Sequence, residues 1–347
     1  VLGRRDHAAP RRRAWPELAF FAAGLAFLGA ILARVGTAPI AGAFAKLGWA
    51  LVLVTGAEVF AVVANAISWR YAILPERRRE VPVLKLLGAR IAGDALNYLL
   101  PGGILAGEVP RARLLRPELP IETAIASVTI AKLTEAVSLA GFGALGALAA
   151  LPALASGTAA AAAVAGAVTG GICLALGFFA IVRRGLYATV LRIARRLGAG
   201  SAGVERLAAA AGRVDAEIAR FCALHARSLA LSTFWHLTGW LVNVAELWLA
   251  FHFLGLRAPL YAIFAIEALS AAWDGVFFFI PAKAGSEEGG RIAVLALFGF
   301  GAAQGLAIGM VRRVRELVFA AVGLVLYAAL SNKAGPAPAR APAPAGA

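Results

Sequence analysis

Six stretches of the sequence, near residues 15–34, 47–74, 121–150, 159–182, 228–254 and 302–330, are apolar over the length a helix needs to cross a bilayer. Inside hydrocarbon a backbone must satisfy its own N–H and C=O groups, which leaves the helix as the structure for runs of this kind. The sequence therefore predicts an all-α, polytopic membrane protein. Composition agrees: 61% of the residues are hydrophobic and the mean hydropathy is +0.79, well above that of a soluble domain. No small-residue cleavage site of the A-x-A kind ends the leading run, so it reads as a span and not as a signal peptide.

The net charge of +15 invites a nucleic-acid reading, but the placement of the bases argues for topology instead. Arg4, Arg5, Arg11, Arg12 and Arg13 precede the first span, and Arg77, Arg78, Arg79, Lys85 and Arg90 follow the second. Arg183, Arg184, Arg192, Arg195, Arg196, Arg206, Arg213, Arg220 and Arg227 lie between the fourth and fifth. The alternate loops hold Lys46, no base in 151–158, and Arg257. That asymmetry puts both termini and the 183–227 segment in the cytoplasm of a cell membrane. Contact with anionic lipid accounts for the remaining bases, and no nucleic-acid partner is expected.

The chain divides into a basic cytoplasmic N-terminus (1–14), one transmembrane domain (15–330) and a low-complexity Pro/Ala tail (331–347). Within the domain, 201–222 has Val204, Leu207, Ala211, Val214, Ile218 and Phe221 opposite Arg206, Arg213 and Arg220, the pattern of an amphipathic helix lying on the membrane surface. Cys173 and Cys222 fall in an apolar span and a cytoplasmic segment, which argues against a disulfide, and no C-x-x-C or histidine spacing suggests a metal.

Two stretches say nearly the same thing 180 residues apart. Asp94, Pro101 and Glu108 are spaced by seven and seven, as are Asp274, Pro281 and Glu288. Each copy is followed by a base–acid pair inside an apolar run, Lys132 with Glu135 and Arg313 with Glu316. Preceding spans carry Trp69 and Trp248 near their ends. The repeats run over about 47–150 and 228–330, with opposite orientation by the charge rule. Duplicated Pro/Gly-broken segments bearing carboxylates are the sequence mark of a transport site between inverted repeats.

Bases flank both ends of 84–116, so this segment is expected to be a re-entrant hairpin with Pro101-Gly102-Gly103 at its tip. The second hairpin, about 258–298, has Pro281 near its tip and enters from the other face. Candidate binding residues follow. Gly102, Gly103 and Gly107 offer backbone amides to an anion at a helix start. Asp94, Asn97, Glu108, Arg111, Lys132 and Glu135 come from the first repeat. Asp274, Lys283, Gly285, Glu288, Arg312, Arg313 and Glu316 come from the second. Phosphate is the expected ligand type. The carboxylates, Glu287 among them, either orient the bases or bind an amine or a proton. Glu108 and Glu288, two helical turns past their prolines, are expected to face one another across a cavity.

Charges inside a bilayer cost at least about 2.5–3.5 kcal/mol each on insertion scales. A bland alternative is that Glu58, Asn65, His236, Asn243, Glu246 and the intrahelical pairs merely tie spans together. Other motifs carry no chemistry. Gly141, Gly143 and Gly146 fit a dinucleotide fingerprint but lie inside an apolar span with no preceding strand. Gly301, Gly305 and Gly309 form a helix-packing stripe. No cofactor is implied.

The run from Asn97 through Pro101, Gly102, Gly103, Gly107, Glu108 and Arg111, with Pro281, Gly285, Glu288 and Arg312 to Glu316, resembles the flippase-like family, also called the lysylphosphatidylglycerol synthase transmembrane region. The likeness covers roughly 15–330. Ala106 stands where a second glycine is usual, and Lys283 where small residues are common. The resemblance implies an integral membrane protein that moves lipids, without the soluble aminoacyl-transferase domain that some members carry and therefore without its activity. Two other readings stay open: a membrane-embedded lipid-modifying transferase, and a non-catalytic partner of a lipid-synthesis complex.

Overall fold

The computed structural model describes residues 29–30, 33, 37–100, 107–154, 158–196, 202–277 and 280–333. Among these residues there are twelve α-helices and no strand. In chain order they are α1 (Ala38–Leu47), α2 (Ala50–Ala72), α3 (Val83–Leu99), α4 (Glu108–Leu114), α5 (Ile121–Leu154), α6 (Thr158–Arg183), α7 (Leu186–Arg196), α8 (Ala202–Leu224), α9 (Ala226–Leu254), α10 (Leu260–Val276), α11 (Ser286–Ala296) and α12 (Ala302–Lys333). A 3₁₀ turn, Pro281–Lys283, separates α10 from α11.

Among the described residues, four stretches are long and apolar enough to cross a membrane: Ala50–Ala72, Ile121–Ala153, Ala226–Leu254 and Ala302–Asn332. Together with α7, α6 makes a fifth candidate, bent by 89°. The bend falls at Gly185, whose φ of +93° suits glycine. The protein is therefore a multi-pass membrane protein. The predicted 15–34 span lies almost wholly outside the described residues, as do the basic N-terminus, the tip residues Pro101, Gly102 and Gly103, and the 334–347 part of the tail.

Three helix pairs organise the centre. Ser68 Oγ donates to the Ser232 carbonyl at 2.7 Å, and His236 Nδ1 lies 2.8 Å from Asn65 Oδ1. The numbering falls on α2 as it rises on α9, so these helices are antiparallel. Gly88 meets Leu330 and Gly323 meets Ile91 and Ala95, which makes α3 and α12 antiparallel. Gly146 meets Ala268, Gly143 meets Ala272 and Gly275 meets Leu139, which does the same for α5 and α10. The first helix after each predicted hairpin start thus packs on the long helix that ends the other half. Gly143 and Gly146, the false dinucleotide fingerprint, provide this close approach; a Cβ on Gly146 would overlap Ala268.

Each broken segment also begins and ends in one place. Prolines at the N-caps, Pro82 and Pro259, start α3 and α10, both 17 residues long. Lys85 near the start of α3 pairs with Glu118 just beyond α4. Phe251, near the end of α9, meets Phe300 beyond α11 with ring centroids 5.2 Å apart. Because α2 and α9 are antiparallel, the two segments start at opposite ends of that pair.

Two expectations change. The apolar face of α8 does not lie on a membrane surface. Val214, Ile218 and Phe221 are buried in a core with Trp69, Leu86, Leu115 and Ile130. Burial against protein replaces burial in lipid, because α5, α6 and α7 cover that face. Nor are Trp69 and Trp248 equivalent. Trp69 is buried and donates to Ser127 Oγ at 3.1 Å, whereas Trp248 is partly exposed and stacks on His252 at 5.6 Å.

Candidate functional site: two buried charge clusters

Each copy of the duplicated segment delivers charged side chains into a buried cluster. In the first, α3, α4 and α5 bring six of them into a closed ring of alternating charge. Arg90 donates from Nε to Asp94 Oδ2 at 2.7 Å and from Nη2 to Glu135 Oε1 at 3.1 Å. Glu135 Oε2 lies 2.9 Å from Lys132 Nζ, which lies 3.2 Å from Glu108 Oε1. Glu108 Oε2 accepts from Arg111 Nη1 at 3.0 Å, and Arg111 Nη2 donates to Asp94 Oδ1, closing the ring. Three bases meet three acids, so every charge in the ring has opposite neighbours. Asp94 is its open member, with 40% of its side chain exposed.

Gly107 and Asn97 hold the arms of this segment together. The Gly107 N–H donates to Asn97 Oδ1 at 2.6 Å, and Asn97 Nδ2 donates to Glu108 Oε1 at 2.9 Å. A Cβ on Gly107 would overlap the Gly93 carbonyl, so this approach requires glycine. The amide expected to await an anion is therefore occupied by Asn97.

The second cluster joins α10, the 3₁₀ turn, α11 and α12. Glu267, with a fully buried side chain, accepts from Arg291 at 2.9 Å and Arg312 at 2.6 Å. Arg313 is the hub. Its Nε and Nη2 donate to Glu288 Oε1 at 2.9 and 2.7 Å, and its Nη1 donates to the Ala282 carbonyl and the Tyr98 hydroxyl. Glu316 lies 3.5 Å from both Arg313 and Lys283, and Lys283 lies 3.7 Å from Asp274. Lys283, 31% exposed, is the open member here. Beside this network Arg315 forms a separate triad with Glu58 of α2, at 2.9 Å, and Glu246 of α9. Among the described residues the connected network holds Glu267, Asp274, Glu287, Glu288 and Glu316 against Lys283, Arg291, Arg312 and Arg313, five acids to four bases.

Tyr98 links the two halves. It lies on α3, one turn past Asp94, and binds Arg313 of α12. The same helix touches the 3₁₀ turn that carries Lys283. The two open members, one acid and one base, thus belong to contacting elements.

The geometry at the second tip differs from the expected pair of helical turns. Ala282 and Lys283 have φ of 51° and 47°, and Gly285 has φ of 72°. The backbone breaks there, and α11 begins at Ser286, so Glu287 and Glu288 sit in its first turn. Glu108 likewise opens α4. Glu108 and Glu288 are each engaged by the bases of their own cluster. The space beside Glu246, Arg291 and Arg312 measures only about 20 Å³, room for no head group. Arg312 pairs with Glu267 of α10.

Several other polar span residues join one helix to another. His236 Nε2 donates to the Ala131 carbonyl at 3.1 Å, and Thr134, Ser232 and Ser68 form a hydroxyl chain at 2.7 and 2.9 Å across three helices. Such bonds replace the hydrophobic effect as glue between helices in lipid. Both cysteines are free thiols.

The model of one family, the lysylphosphatidylglycerol synthase TM region, matches residues 17–323, which takes in every element of both clusters. The chain belongs to that family. Its membership ties this membrane protein to lipid metabolism. No curated protein and no solved structure matches the chain.

Sequence reasoning missed Arg90, Tyr98, Glu267 and Arg291 as members of the site. Arg90 was counted with the topology bases. Arg291 carried a legible signal, since it follows Arg111 at the same 180-residue offset that relates Glu288 to Glu108. Glu267 had none of that kind: Leu87 stands at its offset in the first half, and only its isolation in an apolar run marked it.

Proposed function

We propose that this family member moves a lipid, or a lipid-linked head group, across the cell membrane by alternating access, without covalent chemistry. The observation that carries the reading is the Arg313–Tyr98 contact: two buried charge clusters, one from each half, meet there in a membrane protein of a lipid-metabolism family. A scaffold has no use for buried charge on this scale, because each charge in lipid costs several kcal/mol unless function retains it. The halves are inverted repeats whose broken segments re-enter from opposite faces, and both termini lie in the cytoplasm. The ligand is an anionic, phosphate-bearing head group; its acyl chains stay in lipid. Lys283 receives the phosphate, as the partly exposed base beside a strained turn, and Asp94 across the contact accepts hydrogen bonds from the head group. Rocking of one half against the other exposes this place to each side in turn.

Leaflet-specific lipid labelling in proteoliposomes tests the proposal. Arg313→Gln breaks the contact between halves and is expected to slow labelled-lipid movement about tenfold, corresponding to roughly 1.4 kcal/mol of barrier, with normal accumulation in the membrane. Wild-type protein that leaves lipid distribution unchanged, while a purified mixture with phospholipid yields a covalent product, would overturn it in favour of a transferase.

A further inference from the structure

The two charge clusters differ in one respect that bears on ion coupling. The first is a closed ring of three bases and three acids. The second, among the described residues, has one more acid than bases. One of those acids combines full burial with two unbonded oxygens. Glu287 is buried with a fully covered side chain, and among the described residues no hydrogen-bond donor reaches either of its oxygens. Its nearest bases, Arg312 Nε and Arg313 Nη2, stand off at 3.7 and 3.6 Å because both guanidinium groups aim their stronger bonds elsewhere. Arg312 is committed to Glu267 at 2.6 Å, and Arg313 to Glu288 at 2.7 Å.

We infer that Glu287 is a proton-binding site: the carboxyl holds a proton in this conformation and is the group through which the protein exchanges one with solvent. A buried carboxylate with no hydrogen bond is the species that burial penalises most, and a proton removes the penalty at the site itself. Among the described residues, the acids facing Glu287 favour the same assignment. Glu288 adjoins it on α11, Glu316 faces it from α12, and Asp274 lies nearby on α10, so each negative neighbour opposes a further negative charge. Arg312, Arg313 and Lys283 oppose the proton, but the neighbouring acids already share them. Tyr98 of α3, the last facing group, donates nothing to Glu287. The exposed edge of the cluster nearest to it is Lys283, which is 31% exposed and pairs with both Asp274 and Glu316.

The first half shows what the position does without the carboxyl. At the 180-residue offset, Gly107 stands where Glu287 does, and its place against Gly93 leaves no room for a side chain. The proton site is therefore confined to one half, as a coupling ion bound once per cycle requires. That use as a coupling site rests on the lipid-transport reading; the binding of a proton does not.

Infrared difference spectroscopy of the purified full chain in lipid nanodiscs at neutral pH decides the matter. Wild type is expected to show a protonated-carboxyl stretch that shifts on ¹³C labelling of glutamate and disappears in Glu287→Gln. Glu246→Gln is the comparison that should retain it. Gln and Leu both replace a neutral carboxyl without charge, so Glu287→Gln and Glu287→Leu should accumulate like wild type. A band that survives in Glu287→Gln overturns the assignment, and so does collapse of both neutral variants, which would mean that Arg312 and Arg313 need an ionised partner. A second arm imposes a pH gradient on proteoliposomes. Lipid movement in wild type should respond to the gradient and that in Glu287→Gln should not. Absence of any lipid movement would defeat the transport reading and leave the infrared result to judge the proton site. A response to sodium at constant pH in place of the proton gradient would overturn the coupling role.

Discussion

Lys132 shows how a single side chain carries a buried ring. Its Nζ lies between Glu108 and Glu135, at 3.2 and 2.9 Å, and is the only base that bridges α4 to this part of α5 among the described residues. Lys132→Met removes that bridge and leaves two carboxylates sharing Arg90 and Arg111. Breaking a buried ion pair on one side costs about 3–5 kcal/mol, because a charge is left uncompensated. A loss at the lower end of that range is expected, since Arg90 and Arg111 still hold the acids. Lys132→Met/Glu135→Gln should recover part of it, and thermal melts of the four proteins in detergent give the coupling. A double variant no more stable than Lys132→Met would show that Glu135 does not depend on the lysine. The residues of this ring were largely legible, because carboxylates in an apolar background stand out and their spacing recurs. What stayed hidden was the partner of each. The Gly107 amide is expected from sequence to meet an anion, but it meets Asn97 instead, a contact that depends on two arms folding together.

At the scale of elements, the second tip shows why a Pro/Gly signal locates a break without describing it. Pro281 and Gly285 mark the interruption, but the path between them runs through two consecutive residues, Ala282 and Lys283, in the left-handed region. Non-glycine residues there cost on the order of 1–3 kcal/mol each and persist only when surroundings impose them. The surroundings here are Arg313, which takes the Ala282 carbonyl from 31 positions away, and Ser286, whose hydroxyl donates to the Lys283 carbonyl at 3.1 Å. No local rule could supply the first of these. Ala282→Gly removes a Cβ where φ is positive and leaves the carbonyl that Arg313 binds. It is expected to stabilise the protein by about 1 kcal/mol, read as a higher melting temperature in detergent. An unchanged or lower value would show that the turn is not strained at Ala282. The amphipathic pattern of α8 has the same moral. Period and polarity announced a half-buried helix, but the identity of what buries it, protein and not lipid, depended on where α5, α6 and α7 lie.

For the molecule as a whole, hydropathy alone identified the four long spans, and the distribution of arginine and lysine suggested which loops share a side. The reciprocal packing was not legible, since α3 on α12 and α10 on α5 depend on glycines and alanines that also fill every apolar run. That packing has a consequence for topology. Lys85 and Glu118 tie the two ends of the first broken segment, Phe251 and Phe300 tie the ends of the second, and the antiparallel pair α2–α9 separates the two starts. If α2 and α9 cross the bilayer, broken backbone between α3 and α4 is tolerated at membrane depth only inside protein. Both ends of the first segment must then open on one face, and the start of the second on the other. Single cysteines at Leu84, Arg116 and Leu260, in a chain with Cys173 and Cys222 replaced by serine, test this with a membrane-impermeant thiol reagent on intact cells and on inverted vesicles. Leu84 and Leu260 are suitable because their side chains are exposed. The cysteines replacing Leu84 and Arg116 should react only in inverted vesicles, and the one replacing Leu260 only in intact cells. Reaction of the first two from opposite sides would mean that the segment spans the membrane, and the inverted arrangement of the halves would fall with it.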